Sequence, residues 1–192
     1  MRTRTTANVI YVATVLVLLI SVLLLIVSVY HKSGDEEFSD ISNYSYIREE
    51  QFTDAMKEIW PEKVIGDPQF AEMKLVSYYD DVTAYTGYLR VKYSEDELAC
   101  ELQRLKSISS DEYIGKYDIK GFRDCDVMAI KAVDLGAQIS NGYNGLTYAI
   151  DKGEGEIVYV ELEFPRGAPR EDYGKIIPGE YLPSGLTFPE PV

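Results

Sequence analysis

At 192 residues and a formal net charge of -13, the chain is long enough for one domain with a real core. It is too acidic to favour nucleic acid or anionic lipid headgroups as partners. The one histidine, His31, borders the long apolar run at 9–30 and leaves none in the rest of the chain, which excludes histidine triads and nearly all zinc sites there; no Walker phosphate loop occurs, so no cofactor is expected.

The first predicted element is Val9 to Tyr30, VIYVATVLVLLISVLLLIVSVY, 22 residues without a charged side chain. As a helix it extends about 33 Å, against a hydrocarbon core of about 30 Å. It is read as one transmembrane helix at 9–30, following a short terminus at 1–8. Arg2, Arg4 and the α-amine precede it and Lys32 follows, so the positive-inside rule keeps the N-terminus cytoplasmic and exports the remainder. The run is longer than a cleavable signal core, and its exit, Ser28 to Lys32, is bulky and charged. An uncleaved signal anchor in the cell membrane is expected. Ala7, Thr14, Ser21 and Ser28 recur every seven residues, a face through which a homo-oligomer could form. The same hydroxyls can equally bond their own backbone.

Residues 31–43 read as an acidic linker, and 44–164 as the extracytoplasmic domain. Beyond Ser33 there are 16 basic and 32 acidic residues, a net of -16. From Ser45 to Trp60 the pattern predicts one amphipathic helix, with Phe52, Met56, Ile59 and Trp60 on its apolar stripe and Pro61 as its stop. Trp60 is read as core packing. Ala71–Asp80 and Val82–Tyr93 are β-rich and joined at Asp80-Asp81, which predicts a hairpin. In the second run Tyr85, Leu89, Val91 and Tyr93 alternate with Thr86, Tyr88, Arg90 and Lys92, the pattern of a strand with one wet face.

Ser94 and Glu97 form a capping-box pattern for a helix from Glu95 to about Ile108, with Leu98, Leu102 and Leu105 as its buried stripe. Ile108 to Arg123 reads as a loop, Cys125–Val133 as a strand, and the glycines and asparagines after it as a turn. Leu146–Asp151 and Ile157–Phe164 flank Lys152 to Glu156 as a second hairpin, with Val158, Val160, Leu162 and Phe164 facing inward. Residues 165–192 carry six prolines and are expected to be an irregular tail that wraps the domain or lacks order. These elements predict an α+β fold. Its antiparallel sheet has about five strands with two helices on one face, and one N-terminal transmembrane helix precedes it.

Carboxylates are the remaining chemistry. Glu161 and Glu163 share one strand face, which makes them the named candidates for a two-carboxylate mechanism, although outward acids on a wet face are commoner. Asp151, Glu154 and Glu156 crowd a glycine turn, but their spacing does not fit an EF-hand loop. Cys100 and Cys125 would lie in an oxidising space, which favours a disulfide; Cys100 faces away from its helix's apolar stripe, which favours free thiols. Tyr88, Tyr143 and Tyr159 are candidates for an outer-face binding surface, and tyrosine is also an ordinary strand former.

The anchor, together with YSEDELACELQRLKSI and LTYAIDKGEGEIVYVELEF, resembles the small uncharacterised extracytoplasmic proteins that Gram-positive bacteria anchor to their membranes. That resemblance implies a location and no activity. The expected function is a noncatalytic module at the cell surface that binds a protein, peptide or glycan. The alternative is a carboxylate-dependent hydrolase acting on cell-surface glycans.

Overall fold

The computed structural model describes residues 14–24, 35–64, 70–80, 82–111, 126–133, 145–163 and 173–183. The chain divides into two units, Met1–Gly34 and Asp35–Val192.

In the first unit, residues 14–24 form a helix, α1, exposed along its whole described length. The Ser21 hydroxyl donates to the Val17 carbonyl at 2.9 Å, so this small polar side chain is satisfied by its own helix. Among the described residues no helix is long and apolar enough to cross a membrane; the rest of the run from Val9 to Tyr30 lies outside them.

The second unit is α+β. Its sheet is antiparallel and six-stranded: β1 (Glu36–Phe38), β2 (Phe70–Asp80), β3 (Val82–Lys92), β4 (Asp126–Val133), β5 (Gly145–Gly153) and β6 (Glu156–Glu163), in the order β1-β2-β3-β6-β5-β4. Both expected hairpins form. β2 pairs with β3 from Phe70↔Lys92 to Asp80↔Val82, and β5 pairs with β6 from Gly145↔Glu163 to Gly153↔Glu156. The second turn runs through Gly153, Glu154 and Gly155 at φ 76, 53 and 83, and the Asp151 carboxylate accepts the Gly153 amide at 2.8 Å. Two glycines beside a residue in the left-handed region suit a tight turn.

Three features differ from expectation. The sheet has a sixth strand, because the stretch read as linker contributes β1, whose Phe38 lies opposite Leu75 and packs on the core. The single helix from Ser45 to Trp60 is two, α2 (Tyr44–Gln51) and α3 (Asp54–Ile59). The break comes at Thr53, whose backbone is extended and whose hydroxyl accepts the Met56 amide at 3.2 Å. A threonine before Asp54 caps a new helix more favourably than it continues an old one. The third difference is that the sheet has no wet face at its centre. α2, α3 and α4 (Glu95–Ser107) cover one side, where Ile47, Met56, Ile59 and Leu105 meet Leu75, Leu89, Ala149 and Tyr159. Part of the expected tail covers the other: α5 (Tyr173–Ile176) and the turn at Gly179–Tyr181 bring Tyr173, Ile176, Ile177 and Tyr181 onto Tyr88, Tyr148, Val158, Val160 and Leu162. β6 is therefore buried on both faces along nearly its whole length.

α4 begins as its sequence demands. The Glu97 carboxylate accepts from the Ser94 amide at 3.1 Å and from the Ser94 hydroxyl at 2.6 Å, and Arg104 and Lys106 lie in the last turn.

Gly87 of β3, opposite Leu75 of β2, has no room for a side chain. A Cβ there would stand 2.2 Å from the Lys74 carbonyl oxygen and 2.6 Å from the Leu75 Cα. Neither backbone atom can retreat without disrupting the ladder. Gly87→Ala is expected to cost about 2–3 kcal/mol, read as a lower midpoint in urea denaturation with an unchanged slope.

Candidate functional site

Two arrangements of polar side chains stand out in the second unit, one sealed and one open. The sealed one contains Glu161 and Glu163. They lie two residues apart on β6 and point to the side that α2, α3 and α4 cover, not to the solvent expected of outward acids. Both are 0% exposed. Glu161 sits in register between Gly87 of β3 and Thr147 of β5, and Glu163 opposite Gly145. The Tyr85 amide donates to Glu163 Oε2 at 2.6 Å. From the opposite side of the sheet, the Tyr173 hydroxyl at 2.9 Å and the Tyr78 hydroxyl both donate to the Glu163 carbonyl. Four buried oxygens nearby have no hydrogen-bond partner: both of Glu161, Oε1 of Glu163 and the Thr147 hydroxyl.

Burial raises both carboxyl pKa values. Glu161 is pushed well above the carboxylate range, further so by the charge of Glu163, while the nearby Thr147 hydroxyl favours its ionised form. Glu163 is pushed up to about 7 by burial, against the pull of Glu161 and the Tyr85 amide. No basic side chain contributes to either shift. Lys131 is on the same sheet face and opposite Thr147, but its ammonium is committed to Glu58 at 3.1 Å and Asp111 at 3.7 Å.

The open arrangement is a groove of about 510 Å³ between Pro61–Lys63 and the outer side of α4, with Tyr93, Asp96, Glu97 and Cys100 on its walls. Its back is a hydrogen-bonded relay. Arg104 grips Glu101 with Nε and a terminal nitrogen at 2.7 and 2.6 Å, and donates to the carbonyls of Glu58 and Ile59 at 2.7 Å each. Tyr159 donates to the same Glu101 carboxylate at 2.6 Å, and the Tyr93 and Tyr159 hydroxyls are bonded at 2.7 Å. Burial works against the Arg104 charge, but Glu101 outweighs it and the guanidinium pKa rises. Burial also raises Tyr93 and Tyr159, so both hydroxyls stay protonated.

The sequence candidates fall unevenly on this picture. Tyr159 is a core residue at 0% exposed, and its hydroxyl is used internally. Tyr88 is also buried, with its ring against Tyr181 at 5.8 Å and its hydroxyl donating to Glu72 at 2.7 Å. Neither supplies an outer binding surface, because the C-terminal segment and α4 occupy the faces they were expected to present; Tyr143 lies outside the described residues. Cys100 is an exposed free thiol, and Cys125 lies outside the described residues. Glu156 pairs with Arg90 at 2.8 Å and takes no part in an acidic cluster at the hairpin. Among the described residues, no three His, Cys, Asp or Glu side chains come together.

Glu101 and Arg104 are not among the sequence candidates, although the pattern carries a signal for them. Leu98, Leu102 and Leu105 define the stripe of α4, and position 101 falls inside it at i+3 from Leu98. An acid there needs a buried partner, and Arg104 is one turn away. In comparison with known proteins, the chain matches no family model, no curated protein and no solved structure.

Two outcomes follow from these geometries. Arg104→Lys keeps the charge but loses the two-pronged grip and the fork to two carbonyls, and is expected to cost about 2–3 kcal/mol in chemical denaturation. For the acid pair, a raised carboxyl pKa means that the native state holds a proton the unfolded chain has released. Stability supplied by the proton on Glu163 is therefore complete below about pH 4.5 and is lost as pH rises through about 7, and that supplied by Glu161 is lost as pH rises through its own raised value. In buffer free of divalent cations, Glu161→Gln is expected to flatten this decline and to be more stable than the natural chain at pH 8 by roughly 1–3 kcal/mol. A decline of equal slope in both proteins would remove the pair as its source.

Proposed function

We propose that the chain is a noncatalytic interaction module held at the outer face of a membrane by its N-terminal segment, and that it engages a protein or peptide through the groove beside α4. The groove carries the reading: it is open to water, its back wall is already satisfied internally, and its rim is acidic. Among the described lining residues, Glu62, Asp96 and Glu97 are balanced by Lys63 alone, since Arg104 and Glu101 neutralise each other. A partner segment bearing lysine or arginine fits that balance, and the net charge of -16 beyond Ser33 speeds its approach.

The hydrolase reading has less to stand on. A glycosidase needs a water and a sugar between its two carboxyls. Glu161 and Glu163 are fully buried, and neither lines the groove. Anchoring is supported by the uncharged run from Val9 to Tyr30 and by α1, whose apolar side chains, Leu16 to Leu24 among them, are all exposed along the described part. A helix that is apolar all round is at home in lipid. The orientation rests on Arg2 and Arg4.

Cys100 gives direct access to the groove. A thiol-linked photocrosslinker placed on it in the full-length protein, in its native membrane, is expected to capture one discrete partner. The adduct should fall at least several-fold when Glu62 and Asp96 are both replaced by lysine. Crosslinks only to itself or to nothing, or an adduct indifferent to the charge reversal, would remove the groove as the contact. Protection of the domain from protease added to intact cells would reverse the orientation.

A further inference from the structure

We propose that Glu161, Glu163 and Thr147 form an oxygen-donor site for one hard divalent cation, Ca²⁺ or Mg²⁺, inside the layer between the sheet and its helices. This inference is independent of the groove and of any partner that binds there.

The argument begins with the unpaired atoms. Buried polar atoms are nearly always hydrogen-bonded, and each exception needs a cause. Here four exceptions occur together: Glu161 Oε1 and Oε2, Glu163 Oε1 and the Thr147 hydroxyl. Register places them on one face of two adjacent strands, since Thr147 lies directly opposite Glu161, and Glu163 is two residues farther along the same strand. Side chains so related have Cβ atoms roughly 5–7 Å apart, within reach of a single ion. All three residues are 0% exposed, so bulk water does not serve these oxygens.

Among the described residues, the surroundings are short of positive charge and of bulk. Tyr85 offers its amide to Glu163 Oε2, and its hydroxyl is already given to Gln51 at 2.8 Å. Lys131 of β4 is held by Glu58 of α3 and by Asp111. Beside the acids stand Gly87 and Gly145, which place no side chain over the sheet at the positions next to Glu161 and Glu163.

A proton shared by Glu161 and Glu163, with the Thr147 hydroxyl turned to Glu161, would also pair these oxygens but would cancel only one of the two charges. A divalent cation would balance both charges and give all four oxygens a partner at once. The donor set selects the ion class. Two carboxylates and a hydroxyl, with no imidazole or thiolate, suit calcium or magnesium and are poor ligands for copper or zinc. Four protein oxygens leave two positions for water around octahedral Mg²⁺, and two to four around Ca²⁺.

The test uses the full-length chain, stripped with a chelator and melted at pH 8 with CaCl₂ or MgCl₂ titrated to about 10 mM at constant ionic strength. At least one of the two is expected to raise the melting temperature saturably, by about 5 °C or more. The rise should vanish in Glu161→Gln and in Glu163→Gln, whose melting in chelator shows that they fold. Thr147→Val, which keeps the side chain's shape without its oxygen, should shift the titration to higher concentration. No rise with either cation would overturn the proposal. So would an equal rise in the natural chain and in Glu161→Gln, which would place the ions on the acidic surface. Should neither glutamine variant melt cooperatively, an unchanged titration in Thr147→Val overturns it alone.

Discussion

The withdrawal of β6 from water on both faces is the constraint on which the rest of this structure depends. A central strand in an antiparallel sheet usually keeps one side polar, and its sequence then alternates in hydrophobicity. β6 does alternate, with Val158, Val160 and Leu162 on one side and Tyr159, Glu161 and Glu163 on the other, but the second side is roofed by helices. Every polar group on that side must then find a partner inside the protein, because burying one unpaired is expensive. The Tyr159 hydroxyl, Glu101 and Arg104 solve the problem at one end of the strand. At the other end Glu161 and Glu163 do not solve it with side chains of the described residues.

That contrast separates two kinds of buried acid. Glu101 receives two bonds from a guanidinium and one from a tyrosine, so it is held as a charge in a fixed geometry. The guanidinium is further tied to the end of α3 through the carbonyls of Glu58 and Ile59. The network thus joins three elements, α3, α4 and β6, and its contribution includes orientation as well as energy. Glu163 receives one amide, and Glu161 meets only Glu163 and the Thr147 hydroxyl of its own cluster. The first pair is a strut for the groove wall, while the second has no cationic partner among the described residues.

Much of the fold was legible because it rests on local rules. The turns at Asp80-Asp81 and Lys152–Glu156, the box at Ser94 and Glu97, and the period of the strands all act within a few residues. What escaped depends on contacts distant in sequence. β1 has only three residues and becomes a strand because β2 offers an edge to Glu36, Glu37 and Phe38, which their own composition does not announce. The covering of the second face comes from Tyr173 to Tyr181, in a proline-bearing stretch whose apolar residues carry no period. The sequence leaves open whether the tail wraps the domain, and it does not say that the wrap falls on Tyr88 or that the helices reach Tyr159. The site followed the same division. Glu161 and Glu163 were identifiable as a pair on one face, whereas their burial, which decides what they can do, is a property of the assembled layers.

Stability alone would not place two glutamates at these positions. Valine or leucine at 161 and 163 would extend the apolar surface of the strand and remove a desolvation cost of several kcal/mol, against a total stability of about 5–15 kcal/mol for a domain this size. Nor do the acids serve the ladder, since any residue can supply the backbone bonds of β6. A cost of that scale concentrated on neighbouring side chains is the usual mark of a group kept for what it binds. Among the described residues, Lys131, which lies on the same face opposite Thr147, is drawn off to Glu58 and Asp111 rather than to the pair. A core that leaves its acids without a lysine, and sets a threonine oxygen and two glycines beside them, has the composition of a receptacle. A cation bound there, as proposed above, would tie β5 to β6 beneath the helix layer.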